Sequence, residues 1–195
     1  MQRFIDLNWH TVPLAGTLER LPDGSKTVPE FRKHWRTRYQ DEFNREVTAL
    51  GGAITGRVSG IIAIDCDNTN TYKLFRSLDP DYGFVFVSKG KGYEAGTIIY
   101  KYTEALPDNF KIKNEHFELD FYSNNGFIYL PTEANHTKEP FEMCELAEAP
   151  SAVVALLKQI TPVTASVDTV VAKNINTANC LEPLVSKFVD SRTFM

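Results

Sequence analysis

Hydrophobic and polar positions divide the chain into short strand-like runs with a few helical stretches between them. Trp9 to Pro13 reads as a short extended segment, and Leu21-Pro22-Asp23-Gly24-Ser25-Lys26 supplies turn chemistry. Asp41 to Leu50 spaces Phe43, Val47 and Leu50 along one face of a predicted helix, which Gly51-Gly52 would end. Strand patterns follow. Ala53-Ile54-Thr55 and Gly60 to Asp67 are predicted to form a hairpin across Gly56-Arg57-Val58-Ser59. Thr71 to Leu78 is a short helix candidate. Phe84 to Val87 and Thr97 to Tyr100 are β-branched and aromatic runs flanking a glycine-rich loop. Phe117 to Tyr122 and Gly126 to Leu130 read as a further pair joined by Ser123-Asn124-Asn125, and Ala152 to Ile160 as a helix. The order predicts a mixed α+β domain with an antiparallel-leaning sheet.

After residue 160 the pattern changes. Thr161 to Asn179 is poor in charge and rich in Thr, Val and Asn, as a linker is; Leu181 to Phe194 would add a short helix. The expected division is therefore a domain over 1–160 and a linker with a helical segment over 161–195. Composition adds little to this picture: 195 residues, 43% hydrophobic and 24% charged, suit one folded domain. No run approaches membrane-spanning length, and the start lacks the apolar stretch of a secretory signal. The expectation is a soluble cytoplasmic protein with no membrane partner. A net charge of −4 argues against nucleic-acid binding through bulk charge, although a local basic channel is compatible with it. Cys66, Cys144 and Cys180 are widely spaced without a C-x-x-C pair, and read as reduced core thiols.

Chemistry concentrates in Gly60-Ile61-Ile62-Ala63-Ile64-Asp65-Cys66-Asp67. Four successive apolar residues imply a strand buried on both faces, and two carboxylates at its end need compensation. Alternation puts Asp65 and Asp67 on one face, ~7 Å apart along the chain, where a hard divalent cation would relieve their repulsion. A strand running into an Asp-Asn-Thr-Asn turn accounts for the same residues. In Phe117-Glu118-Leu119-Asp120-Phe121 the acids alternate with apolar residues, so Asp120 offers a third carboxylate. An exposed face would give that pattern too. Two aspartates from one strand and a third from its neighbour match what two-metal nucleotidyl transfer requires. His116 shares the face of Glu118 and Asp120 and is a candidate partner for a metal ligand.

Taken together, these residues resemble the primase–polymerase family of the archaeo-eukaryotic primase superfamily, found in phages, plasmids and other mobile elements. Gly52, Thr55, Gly56, Ser59 and Gly60 are similar to the family's "G-x-x-T-G-x-x-S-G" lead into a hydrophobic strand ending in D-x-D, its first motif. Val12-Pro13, Lys26, Pro29 and Trp35 resemble the usual opening of such domains. Leu119-Asp120, followed by Asn125 to Pro131, resembles the third motif, and His136 matches a histidine that commonly follows it. The resemblance spans roughly residues 10 to 145. The second motif departs from it: the strand after the glycine-rich loop reads Thr97-Ile98-Ile99-Tyr100-Lys101, without the histidine that contacts the incoming nucleotide's phosphates.

The resemblance implies a two-layer α+β primase-like core with an RRM-like antiparallel catalytic sheet. It implies a template-dependent nucleotidyltransferase (a DNA primase or DNA polymerase) in which Asp65, Asp67 and Asp120 hold two Mg²⁺ or Mn²⁺ ions. Ser88, Lys89, Lys91, Thr97, Lys101, Arg57 and His136 would form the nucleotide-binding set, lysine serving as a point charge for phosphate. The cation–aromatic stretch around Trp35 gives Arg32, Arg36 and Arg38 as candidates for tracking a single-stranded template, unless it is a solvated helix face with Trp35 in the core. Expected partners are single-stranded DNA, nucleoside triphosphates and a helicase, the chain reading as part of a longer primase–helicase. Two alternatives stay open: a catalytically weakened module that binds template or origin, and a metal-dependent nuclease using the same acids.

Overall fold

A computed structural model of the chain describes residues 2–14, 50–87, 94–115, 117–131 and 145–162. All of these belong to one compact unit, Met1–Pro162. The expected linker and final helix, the 41–49 part of the expected helix, and the turn over residues 21–26 lie outside the described residues.

Two antiparallel sheets carry the fold. The larger has five strands in the order β4 (Val85–Val87), β5 (Gly96–Lys101), β3 (Ile61–Cys66), β7 (Glu118–Tyr122) and β6 (Phe110–Lys113). The smaller has three, in the order β1 (Thr11–Leu14), β2 (Leu50–Ile54) and β8 (Phe127–Tyr129). The helices among the described residues are α1 (Gln2–Asp6), α2 (Thr69–Leu78) and α3 (Ser151–Ile160). The expected mixed α+β class with antiparallel pairing is what forms. Among the described residues no helix is long and apolar enough to cross a membrane.

β3 is central, and Ile61, Ile62, Ala63 and Ile64 are all fully buried, as an apolar run covered on both faces requires. Helix α2 covers the face of β3 that carries Cys66. A Cβ on Gly96, which pairs with Cys66, would lie 3.2 Å from the Tyr72 ring of α2. The opposite face is covered near β4 by an aromatic cluster. Phe4 and Trp9 pack with ring centres 5.1 Å apart, and their rings lie 5.9 Å from Phe86 and 5.7 Å from Phe84 respectively. Behind β5, Tyr82 and Tyr100 stack at 4.6 Å, and Tyr100 donates to Asp79 Oδ2. Burial and then the Asp79 charge push the Tyr100 hydroxyl well above the usual tyrosine range.

Both predicted hairpins are corrected. Ala53-Ile54 pairs with β1 and β8, whereas β3 belongs to the five-stranded sheet; an isolated bridge, Gly56↔Ile61, stands at the crossover between them. The segments 118–122 and 127–129 likewise lie in different sheets. Each turn is thus a crossover from one sheet to the other, because strands pair by burial and not by nearness in sequence. Gly51-Gly52 is also not a helix end but the middle of β2, where the Phe127 ring occupies the space a Gly52 side chain would need. Strand β6 and helix α1 were not predicted; each is too short to show a clear period.

The two crossovers are bonded to each other through Thr55, which is fully buried. Its backbone N–H donates to Gly126 O (2.9 Å), its carbonyl accepts from Asn125 N–H (3.0 Å), and its hydroxyl accepts from Gly126 N–H (3.0 Å). Gly56, at φ +98°, must be glycine: its backbone is left-handed, and a Cβ would lie 2.2 Å from Asn124 Oδ1. Asn109 secures the second corner by accepting from the backbone N–H of Ser123 (2.7 Å) and Asn124 (2.9 Å). Ser59, from the first corner, accepts from the His10 backbone N–H at 2.8 Å and so ties it to the segment before β1. Replacing Thr55 by Val keeps the shape and leaves the Gly126 N–H without its partner. The expected loss is ~1–3 kcal/mol in urea denaturation, with an unchanged denaturant slope.

Candidate functional site

One face of β3 reads Ile61, Ala63 and Asp65, with Asp67 continuing the alternation just past the strand. The first two are fully buried and the two acids are half-buried, so the carboxylates begin where the apolar cover ends. In the ladder Asp65 stands directly opposite Asp120 of β7 and, on its other side, opposite Thr97 of β5. Opposed side chains in an antiparallel pair share a face, with Cβ atoms ~5 Å apart. Asp67 N–H donates to Glu118 O at 3.0 Å and extends the pairing by one step, bringing Asp67 beside Glu118.

Like charges directly opposed destabilise a sheet unless something compensates them. Thr97 donates its hydroxyl to Asp65 Oδ1 at 2.8 Å. Tyr122 donates to Asp120 Oδ2 at 2.9 Å, and Lys111, opposite Asp120 on β6, donates to the same oxygen. Lys113 pairs with Glu118 in the next row. The Glu118 hydrogen bond and then its charge hold Lys113 above the ordinary lysine range, with smaller contributions from Asp67 and Asp120. Asp67 has a further source of support. It directly precedes Asn68, whose side chain caps α2 by accepting from Thr71 N–H at 2.9 Å. In sequence, Asp67 therefore immediately precedes the N-terminus of the helix, its positive end.

Asp65, Asp67, Glu118 and Asp120 carry four negative charges, and Lys111 with Lys113 carries two positive ones. Lys111 and Lys113 thus each face one acid of this group, Asp120 and Glu118 respectively. All four acids are hard oxygen donors of the kind that Mg²⁺ and Mn²⁺ take. Among the described residues, no group of three or more His, Cys, Asp or Glu side chains already converges as a metal site. Asp65 with Asp120 is the opposed pair from which one would be assembled.

The structure brings Asp65, Asp67, Asp120 and Thr97 together. It does not bring Arg57 or Lys101 to them. Lys101 is opposite Ile61, and Arg57 lies in the turn before Ile61 and pairs with Glu104. Both are at the far end of β3, about 13 Å from Asp65 at strand rise. Ser88, Lys89, Lys91, His116, His136, Arg32, Arg36 and Arg38 lie outside the described residues. The residues flanking the glycine-rich segment are described: Val87 pairs with Gly96, and Gly96 with Cys66, which lies between Asp65 and Asp67 in sequence.

Lys111, Lys113 and Tyr122 are site residues that the sequence reading missed. Their signal was present: Lys111-Ile112-Lys113 mirrors Glu118-Leu119-Asp120 across a short turn, closed by Asn114 N–H donating to Phe117 O at 2.8 Å. Complementary charges in mirrored order are what a hairpin with one polar face produces.

Compared with known proteins, the chain matches no family model, no curated protein and no solved structure. The site's chemistry therefore rests on its own residues. If the opposed carboxylates hold a divalent cation, Mn²⁺ at a hundred times its dissociation constant is expected to stabilise the fold by ~2.7 kcal/mol. Thermal denaturation measures this, and Asp65→Asn is expected to remove the effect.

Proposed function

We propose that the chain is a metal-dependent nucleotidyltransferase of the primase–polymerase type, acting on single-stranded DNA template and nucleoside triphosphates in the cytoplasm of a host cell. The observation that carries the reading is the opposition of Asp65 and Asp120 on adjacent central strands, with Asp67 on the same face at the end of β3. The order of motifs resembling the family supports it. So does the structural use of the first motif, whose Thr55, Gly56 and Ser59 hold the corner from which β3 starts. On this reading the five-stranded sheet is the catalytic sheet of a primase-like core, and a helicase is the expected partner.

Asp65, Asp67 and Asp120 would hold the divalent ions. When bound, these lower the pKa of an attacking 3′-hydroxyl and stabilise charge developing at the transferred phosphorus. The protein's own part is to orient the carboxylates. Thr97 orients Asp65, Tyr122 orients Asp120, and Asp67 directly precedes the Asn68 cap of α2. Thr97 stands on the strand where the family has its histidine, and here its hydroxyl goes to a carboxylate. The phosphate grip is then left to other groups, Ser88, Lys89 and Lys91 in the segment between β4 and β5 being the first candidates.

Primer extension on a single-stranded template tests the reading. Wild-type protein with Mn²⁺ or Mg²⁺ and nucleotides is expected to extend the primer. Asp65→Asn and Asp120→Asn are expected to lower the rate by more than about a hundredfold at unchanged fold. Absence of synthesis under every metal and template condition, with template binding retained, would assign the chain to a binding module instead. Degradation of a labelled strand without added nucleotides would assign the carboxylates to nuclease chemistry.

A further inference from the structure

Asp120 Oδ2 receives two donors of different character. Tyr122 donates at 2.9 Å from a ring packed against Gly126, where a Cβ would approach the ring to 2.6 Å, so its hydroxyl is held in place. Lys111 reaches the same oxygen from edge strand β6. Its side chain is 68% exposed against 20% for Asp120, and its ammonium lies 5.8 Å from the centre of the Tyr122 ring. An ion pair to so exposed a lysine, on a flexible four-carbon stem, is weakly held. A divalent cation carries twice the charge and binds carboxylate oxygens directly.

We infer that Lys111 is the resident counter-ion of the carboxylate site: it holds Asp120 until a divalent cation displaces it, and the displaced ammonium then binds phosphate. This rests on the reading of Asp120 as a metal ligand. Thr97, Asp65, Asp120 and Lys111 form one row across the sheet, so Lys111 supplies its positive charge where the cation would supply more. Once the cation neutralises Asp120, the lysine remains tethered to the same face with its charge available to an anion. The polyphosphate of a metal–nucleotide complex is such an anion. Lys113 differs, because it pairs with Glu118, which is not in the proposed metal set. Removing Lys111 therefore has two opposite consequences. The metal loses a competitor, and the polyphosphate loses a cation.

The test uses the full chain as wild type, Lys111→Gln, Lys111→Arg, Lys113→Gln and Asp65→Asn, each checked for fold by circular dichroism. Free Mn²⁺ is titrated by electron paramagnetic resonance, and inorganic triphosphate, added as its manganese complex, is followed by calorimetry. Lys111→Gln is expected to bind Mn²⁺ about three- to tenfold more tightly and triphosphate about three- to tenfold more weakly. Lys111→Arg, which keeps the charge, is expected to stay near wild type, and Lys113→Gln to shift both constants much less. Equal shifts in the two glutamine variants would reduce the effect to diffuse charge and overturn the inference. So would unchanged or weaker Mn²⁺ binding by Lys111→Gln while Asp65→Asn loses Mn²⁺, a result that leaves the metal site standing. If wild-type protein binds no Mn²⁺, the metal reading and this inference fall together.

Discussion

The register between β3 and β7 decides everything about the site, and it is secured outside the sheet those strands share. Both chain segments leave the five-stranded sheet at one corner, and there Thr55 bonds to Asn125 and Gly126 through its N–H, its carbonyl and its hydroxyl. A slip of one residue in β7 would turn Asp120 to the face now occupied by Leu119 and Phe121, both buried. The apolar pattern of β7 opposes that slip from within the sheet, and the corner opposes it from one end. Gly126 links corner to site most directly. Its missing side chain admits Tyr122, whose hydroxyl holds Asp120.

Electrostatics then explains why so many acids are tolerated on a half-buried face. Each proposed ligand has its own compensation: a hydroxyl for Asp65, a helix N-terminus next in sequence for Asp67, and a hydroxyl with an ammonium for Asp120. A purely structural role would be served more simply by matched pairs or apolar residues. Hard oxygen donors gathered at the point where apolar cover ends are the arrangement expected of a place that receives a cation.

What was legible in the chain followed from local periodicity. The run Ile61 to Ile64 announced a strand buried on both faces, and the alternation in Phe117 to Phe121 announced one with a polar face. The D-x-D spacing put Asp65 and Asp67 on one side, and the motif order singled out Asp120 as their companion. Sheet membership was not legible, because Gly56 to Ser59 and Ser123 to Asn125 carry ordinary turn chemistry whether they close a hairpin or cross between sheets. Gly51-Gly52 misled for a related reason. Glycine is a poor strand former, and only the Phe127 ring lying over Gly52 explains its place in β2. Arg57 adjoins β3 in sequence, yet a strand has two ends, and Arg57 is at the one away from the acids.

The central claim is that Asp65, Asp67 and Asp120 are ligands of a divalent cation. Crystals grown with Mn²⁺ and a nucleoside triphosphate test it through the anomalous scattering of manganese. A peak is expected within coordination distance of the Asp65 and Asp120 carboxylates, with the triphosphate reaching the same ion. A manganese peak bound elsewhere on the protein, with Lys111 still seated on Asp120, would contradict it.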